Sequence, residues 1–385
     1  MNWDFLSPLP EDTVKYIKTI SKHSLGAKIK LNLPESLLDL SNVQLAIFSV
    51  EENRQSVEEK KELSFDKIRR EFYVLFPGNW DVNLADLGTV KKGDSVKDTY
   101  FAVQSLVKFL LQQNIIPVIL GGSQDLMYAQ YRAYDNLKTM VNLVNIDAQL
   151  DLGDAEKEIT NKSYVSKIIV NKPFNLFNYS NIGYQTYYNS QEEIALMDHF
   201  FFDAIRLGEA ASDLSKMEPV LRMADIVGVD VNSIEAATLG DESQGNPNGF
   251  TGREICALVR YAGLSDAVSS FGIYEAGELP KNKSAKLVAQ LIWYFIEGVN
   301  YRTNENTKKA IDTFIKYQVP IDNDVLVFYK SPRSTRWWIE IPYQPTEGSR
   351  LENTTLLPCS EDDYLKACDQ EMPDRWYKAK RKNEV

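Results

Sequence analysis

Residues 140–151 read MVNLVNIDAQLD, an apolar run that stops at Asp147 and then places Gln149 and Asp151 at alternate positions. A short run this apolar, without alternation, is what a strand buried on both faces requires. LKTM ahead of it reads as the end of a helix feeding the strand. The same pattern recurs in VQLAIFSV (43–50), VNLADLG (82–88), IPVILGG (116–122), SNIGYQ (180–185), HFFFDAI (199–205), ADIVGVDV (224–231) and AVSSFGIYE (267–275). EPVLRM leads into ADIVGVDV as a second helix end. In SAKLVAQLIWYFIEGVNYR the apolar residues Leu287, Val288, Leu291, Ile292, Phe295 and Ile296 follow a three-and-four spacing, which makes one face of a long helix. Strands alternating with helices predict an α/β fold, a three-layer α/β/α doubly wound parallel sheet, over residues 41–310.

Working outward, residues 1–40 read as an N-terminal arm with one helix in EDTVKYIKTISKH. Residues 311–385 form a C-terminal hairpin and helical tail. DVLVFYKSPRSTRWWIEIPY holds two extended runs around a Ser-Pro-Arg-Ser turn, SEDDYLKACDQEM a short acidic helix, and KAKRK a solvated end. Trp337 and Trp338 are adjacent, so on a strand they point to opposite faces. One of them, with the tail that runs to Trp376, is therefore expected to meet a protein partner.

The 385 residues are 44% hydrophobic and 25% charged with 19 Gly and 15 Pro, which excludes collagen-like, low-complexity and disulfide-scaffold chains. No apolar run approaches the ~20 residues of a membrane span. The balance of 43 Lys+Arg against 54 Asp+Glu, a net charge of -11, gives no electrostatic help toward nucleic acid. The start of the chain lacks the basic head and apolar stretch of a secretory signal, and a cytoplasmic location is expected. Three cysteines without a CxxC pair support neither a disulfide framework nor a thiolate zinc site, and two histidines, His23 and His199, leave little for transition metals. Cys256, without a histidine partner nearby, reads as packing. His199 at a strand entrance reads as structural, and the aromatic stretch NIGYQTYYNSQEE as core cover or pocket lining.

In open α/β sheets ligands bind beyond the carboxyl ends of the strands. Polar residues gather at four such ends: Ser123, Gln124 and Asp125; Asp147, Gln149 and Asp151; Asp230 and Asn232; Glu275 and Glu278. Any one of these is ordinary as a cap or turn residue. Four at equivalent places mark a site.

Asp147-Ala-Gln149-Leu-Asp151 and Asp230-Val-Asn232 resemble the Asp-Ala-His-x-Asp and Ser-x-Asp-x-Asp-x-x-Asp motifs of the arginase, agmatinase and formimidoylglutamase (ureohydrolase) family. Gly121-Gly122-Ser123-Gln124 is similar to its Gly-Gly-Asp-His. Asp86-Leu87-Gly88, Asn181-Ile182-Gly183 and Pro247-Asn248-Gly249-Phe250 through Glu254 fall in the family's order from about residue 43 to 300, with formimidoylglutamase the nearest branch. The resemblance implies an arginase-like fold and a pair of manganese ions held by six side chains. Those positions here are Gln124, Asp147, Gln149, Asp151, Asp230 and Asn232, so two histidines have become glutamine and one aspartate asparagine. The motif's last aspartate is Glu235, followed by Ala236, and Glu275 stands where the family has a substrate-facing glutamate. No catalytic residue and no shuttle histidine can be assigned. A manganese pair is not expected; a single Mg²⁺ or Ca²⁺ on Gln124, Asp147, Asp151 and Asp230 is conceivable, since amide oxygen suits hard cations.

Three carboxylates in one cleft need a cation, a proton, or a Lys or Arg. Arg253, Arg260 and the lysines of KNKSAK lie in neighbouring segments but read as surface groups. The expectation is an arginase-like homo-oligomer that has lost two-metal amidine hydrolysis and acts in binding or scaffolding. The alternatives are a hydrolase of linear amidines using one hard cation or an altered substrate, and a small-molecule sensor built on Glu275 and the amides.

Overall fold

The computed structural model describes residues 4–34, 38–58, 63–138, 140–240, 246–277, 282–305, 311–322, 324–341 and 355–384. Ten strands of one sheet are β1 (Leu6–Ser7), β2 (Lys30–Leu31), β3 (Leu45–Val50), β4 (Leu84–Val90), β5 (Ile116–Gly121), β6 (Val141–Ile146), β7 (Leu176–Tyr184), β8 (Asp203–Arg206), β9 (Ile226–Asp230) and β10 (Ser270–Tyr274). Their order is β1-β4-β3-β5-β10-β9-β6-β7-β8, with β2 also paired to β4. All these pairings are parallel except β1 on β4. The N-terminal segment thus lies along the outer side of β4.

Both faces of the sheet are covered, and the strand residues sort accordingly. On β3, Leu45 and Ile47 join the apolar core on one face while Ala46, Phe48 and Val50 join that on the other; on β6, Val144 and Ile146 oppose Val141 and Leu143. The period of two explains this division, and burial on both sides explains why the runs are continuously apolar. The α/β/α doubly wound reading and the long helix, here Asn282–Asn300, agree with the structure. HFFFDAI is only half a strand: His199 closes the helix Gln191–His199, and β8 begins at Asp203.

A second sheet follows, ordered β11 (Ile315–Ile321), β12 (Asp324–Lys330), β13 (Trp337–Ile341) and β14 (Thr355–Cys359), all antiparallel. The hairpin is β12–β13, and two further strands flank it. Trp337 and Trp338 do take opposite faces, yet both are buried, at 5% and 4% exposure. Trp337 stacks on Tyr364 at 4.8 Å between ring centroids, and Trp338 on Phe314 at 4.9 Å. The expectation that one of them meets a partner is therefore corrected: both tryptophan side chains are packed within the chain. KAKRK is not a free solvated end either. It belongs to the helix Asp374–Glu384, where Lys378 pairs with Asp203 at 3.3 Å and Lys382 donates to Asn178. Among the described residues no helix is long and apolar enough to cross a membrane.

Candidate functional site

The four strands that end in polar clusters, β5, β10, β9 and β6, are consecutive neighbours in the sheet. Gln124, Glu275, Asp230 and Asp147 consequently converge at one edge. The glycines before Gln124 permit it: a Cβ on Gly121 would lie 2.3 Å from the Tyr274 ring, and one on Gly122 2.0 Å from the Glu52 carbonyl oxygen. Any larger residue there would push the loop off the neighbouring strand ends.

Asp147, 1% exposed, is the hub. Its Oδ2 accepts from Gln124 Nε2 at 2.7 Å and from Asn145 Nδ2 at 3.1 Å, and its Oδ1 from the Gln149 backbone N–H at 2.9 Å. Turning the Gln124 amide round would set two acceptor oxygens at that 2.7 Å separation, so its NH₂ must face Asp147. Asp230 Oδ1 likewise accepts from the Asn232 backbone N–H at 2.7 Å. Gln149 and Asn232 thus enter the site through their backbones, and both are half-buried. Glu275 Oε1 accepts from the Gln124 backbone N–H at 3.0 Å and from Asn161 Nδ2 at 3.1 Å. Glu235 lies apart, holding the Thr238 hydroxyl at 2.6 Å at the start of the helix Ala236–Leu239. Glu278 lies outside the described residues.

Two of these residues carry unusual backbones, with φ of +54° at Asp151 and +57° at Glu275. Left-handed conformations at non-glycine residues cost about 1–3 kcal/mol each and collect at sites where the surroundings hold them. Both are buried acids. Burial, reinforced by the charge of Asp147, holds Asp151 well above the usual carboxylate range and pushes Asp230 up to about 8. Burial and then Asp230 raise Glu275. Both carboxylate oxygens of Asp151, Oδ2 of Asp230 and Oε1 of Gln124 are buried without a hydrogen-bond partner. Such groups are costly unless something with positive charge or a donor proton faces them.

A cation in the loop beyond Asp151 is one the motifs did not single out. Lys162 lies between Asp151 and the helix Tyr164–Val170, and its ammonium pairs with Glu58 at 3.9 Å. Burial alone would pull this lysine down, but Asp230, Asp151, Asp147 and Glu58 outweigh it and hold the amine above its ordinary value. Its neighbour Asn161 ties Glu58 Oε2 at 2.8 Å to Glu275 Oε1 at 3.1 Å. The only advance signal was arithmetic: clustered carboxylates needed a cation, and Lys162 follows Asp151 by eleven residues. Arg260 instead pairs with Glu297 at 2.8 Å, away from the cluster. Cys256 is buried, which pushes its thiol up to about 11 and suits packing better than nucleophilic attack.

As a metal site the cluster is poor in the donors manganese prefers. No imidazole reaches it, the Gln124 amide presents hydrogens to Asp147, and every Asp147 oxygen is already engaged by N–H groups. Among the described residues no group of three or more His, Cys, Asp or Glu side chains is arranged to hold a metal ion. The residues do not fit a manganese pair.

A family model described as the arginase family matches residues 54–297. In structure, the chain is similar to Trypanosoma cruzi formiminoglutamase with Mn²⁺, with a TM-score of 0.62 and 15% identity over 69% of this chain and 97% of that one. Formimidoylglutamase from Bacillus subtilis gives 0.62 and 15% over 69% and 90%, and agmatine ureohydrolase of Thermoplasma volcanium 0.58 and 18% over 78% and 100%. No curated protein matches the sequence. At these identities the structural likenesses establish the fold.

Proposed function

The chain belongs to the arginase family, and from that premise we propose that it has left two-metal amidine hydrolysis and acts by binding or scaffolding. In that reading Gln124, Asp147, Gln149, Asp151, Asp230 and Asn232 occupy the family's metal positions. The observation that carries it is Asp147, whose two oxygens already accept three N–H donors, from Gln124, Asn145 and Gln149. A carboxylate shared by two metals has to keep its lone pairs for them. The two-metal mechanism uses the ions to make hydroxide at neutral pH, and amides in place of imidazoles and carboxylate remove both affinity and charge.

A second reading, a hydrolase of linear amidines such as formimidoylglutamate with one hard cation, draws on the four unpartnered oxygens of Asp151, Asp230 and Gln124. Oxygen donors of this kind suit Mg²⁺ or Ca²⁺.

Purified protein supplied with Mn²⁺ is expected to turn over none of arginine, agmatine and formimidoylglutamate, and to retain no stoichiometric manganese by elemental analysis. Two equivalents of manganese per chain, or turnover above the uncatalysed rate, would sink the binding reading. Turnover that needs Mg²⁺ or Ca²⁺ would establish the second one.

A further inference from the structure

A cavity of about 490 Å³ lies between the larger domain and the C-terminal segment. Phe177, Asn178 and Asp203, at the amino ends of β7 and β8, line it, so it sits at the end of the parallel sheet opposite the strand-end acids. β8 and β14, each the last strand of its sheet, both contribute to the wall, and the helix Asp374–Glu384 lines another side. Its volume is that of a small-molecule pocket, for which about 300–1,000 Å³ is usual.

The polar groups at the strand ends leave one cation over. Asp203 Oδ1 accepts from Lys378 at 3.3 Å, and its Oδ2 accepts from Asn178 Nδ2 at 2.9 Å and from the Ser180 hydroxyl at 3.0 Å. Lys382 donates to Asn178 Oδ1, and its ammonium lies 5.7 Å and 5.4 Å from the ring centres of Phe177 and Phe202. Asn178 is 2% exposed, so this contact is made in the interior. Two ammoniums thus stand beside one carboxylate, and among the described residues Lys382 forms no ion pair of its own. An ammonium has three donors, and two of those on Lys382 remain for a guest. Burial pulls its amine down to about 8 in spite of Asp203, as befits a cation short of a counter-ion.

Phe177, Met217, Val220, Met223, Leu357 and Met372 give the cavity an apolar lining drawn from both parts of the chain. Three of the six are methionines, which adapt to the shape of what they pack against. The other charges are matched or lie at the rim. Arg375 pairs with Asp363 at 3.1 Å and Lys366 with Asp362 at 3.2 Å, while Glu209, Lys216, Glu371 and Asp374 are exposed. Those rim acids, with Asp203 inside, oppose a guest carrying more than one negative charge.

We propose that this cavity binds a small monocarboxylate with an apolar body, its carboxylate received by Lys382 beside Lys378 and its body lying against the methionines. One surplus cation answers one anionic charge. The site is separate from the strand-end cluster and does not depend on the reading of that cluster.

Octanoate and phenylacetate are suitable probes, with octanamide and phenylacetamide as uncharged controls of the same shape. Calorimetric titration of the full chain should show one equivalent of at least one acid bound with submillimolar affinity. The matching amide should bind at least about tenfold more weakly, because a charge-assisted hydrogen bond is the stronger kind. Lys382→Met should lower the acid's affinity to that of the amide and leave the amide's unchanged. Lys382→Gln makes the same comparison should methionine disturb the helix, and the contrast between acid and amide needs no variant at all. Absence of saturable binding by either acid at millimolar concentration overturns the proposal. Equal affinities for acid and amide, or an acid affinity that both variants leave untouched, overturn it too. Displacement of the acid by equimolar inorganic phosphate does the same, since it would reveal a general anion site indifferent to the apolar wall.

Discussion

Arg69→Met should destabilise the protein by about 3–5 kcal/mol, the range for removing one partner of a buried ion pair. Arg69 and Asp86 are 2% and 0% exposed, and Arg69 Nε reaches Asp86 Oδ2 at 3.0 Å. The same guanidinium donates through Nη2 to the Gly88 carbonyl at 2.7 Å and to Ser49 Oγ at 3.1 Å, while the Tyr73 hydroxyl donates to Asp86 at 2.6 Å. One arginine from the helix Asp66–Tyr73 therefore joins β4 to β3 in the buried interior. Methionine fills much of the volume but leaves Asp86 charged with two remaining donors, Tyr73 and the Gly88 N–H at 2.9 Å. Asp86→Asn in the same background should recover part of the loss, because the cost comes from an uncompensated charge more than from lost packing. Urea denaturation of the single and double variants checks both statements. A loss below about 1 kcal/mol for Arg69→Met would show that the pair is worth no more than an exposed one.

This ion pair also explains a motif that the sequence displayed without its reason. Asp86-Leu87-Gly88 was legible as a family resemblance, but the role of each residue needed coordinates. Asp86 holds Arg69, and Gly88, at φ +86°, lets the Ser7 carbonyl of β1 come within 2.1 Å of where a Cβ would stand. The parallel sheet was legible for a physical reason: strands buried on both faces must be apolar throughout, and that signal needs no partner to be seen. The polar strand ends were legible because the chain must place them beyond the sheet. β11 and β14 were not, since IKYQVPI and TLLPC each carry a proline, which weakens a strand reading. The position of Lys162 was invisible because it depends on a backbone contact with Gly153, between segments that no local period links. The amide replacements at Gln124, Gln149 and Asn232 could be read directly, but the direction in which Gln124 turns its NH₂ could not.

Truncation ahead of Asp324 should give a protein that aggregates and loses its cooperative melt near the original temperature. The sequence alone allowed the C-terminal segment to be a detachable interaction module rich in tryptophan. In the folded chain its tryptophans are spent internally. Trp337, Trp338 and Trp376 are all buried, and Met140 and Met223 of the larger domain pack against the cluster that holds Trp337 and Trp376. Arg222, from the helix Glu218–Met223, is the bolt between the two parts. Its Nη2 donates to the carbonyls of Trp337 at 3.0 Å and Cys359 at 2.9 Å, and its guanidinium lies 4.7 Å from the centre of the Trp338 ring. Trp337 and Cys359 are directly paired across β13 and β14, so one side chain grips both strands. Burial pulls this arginine down to about 10, and removing the strands would return its charge to water while exposing the apolar surface around it.

Arg222→Ala isolates the bolt from the rest. Leaving two buried carbonyls without donors costs about 1–3 kcal/mol each, so a lower melting temperature with the fold retained is expected. Thermal melts and light scattering distinguish the outcomes. If the truncated chain stays folded and monodisperse at the original melting temperature, the second sheet is an independent module, and an interaction role for it regains its footing. If it aggregates while Arg222→Ala only melts earlier, the segment is part of the structural unit. Any partner-binding surface must then be sought on residues that remain exposed, such as Tyr187 at 65%. Its hydroxyl accepts from Asn248 Nδ2 at 3.4 Å, within the loop that follows the Asp230 strand.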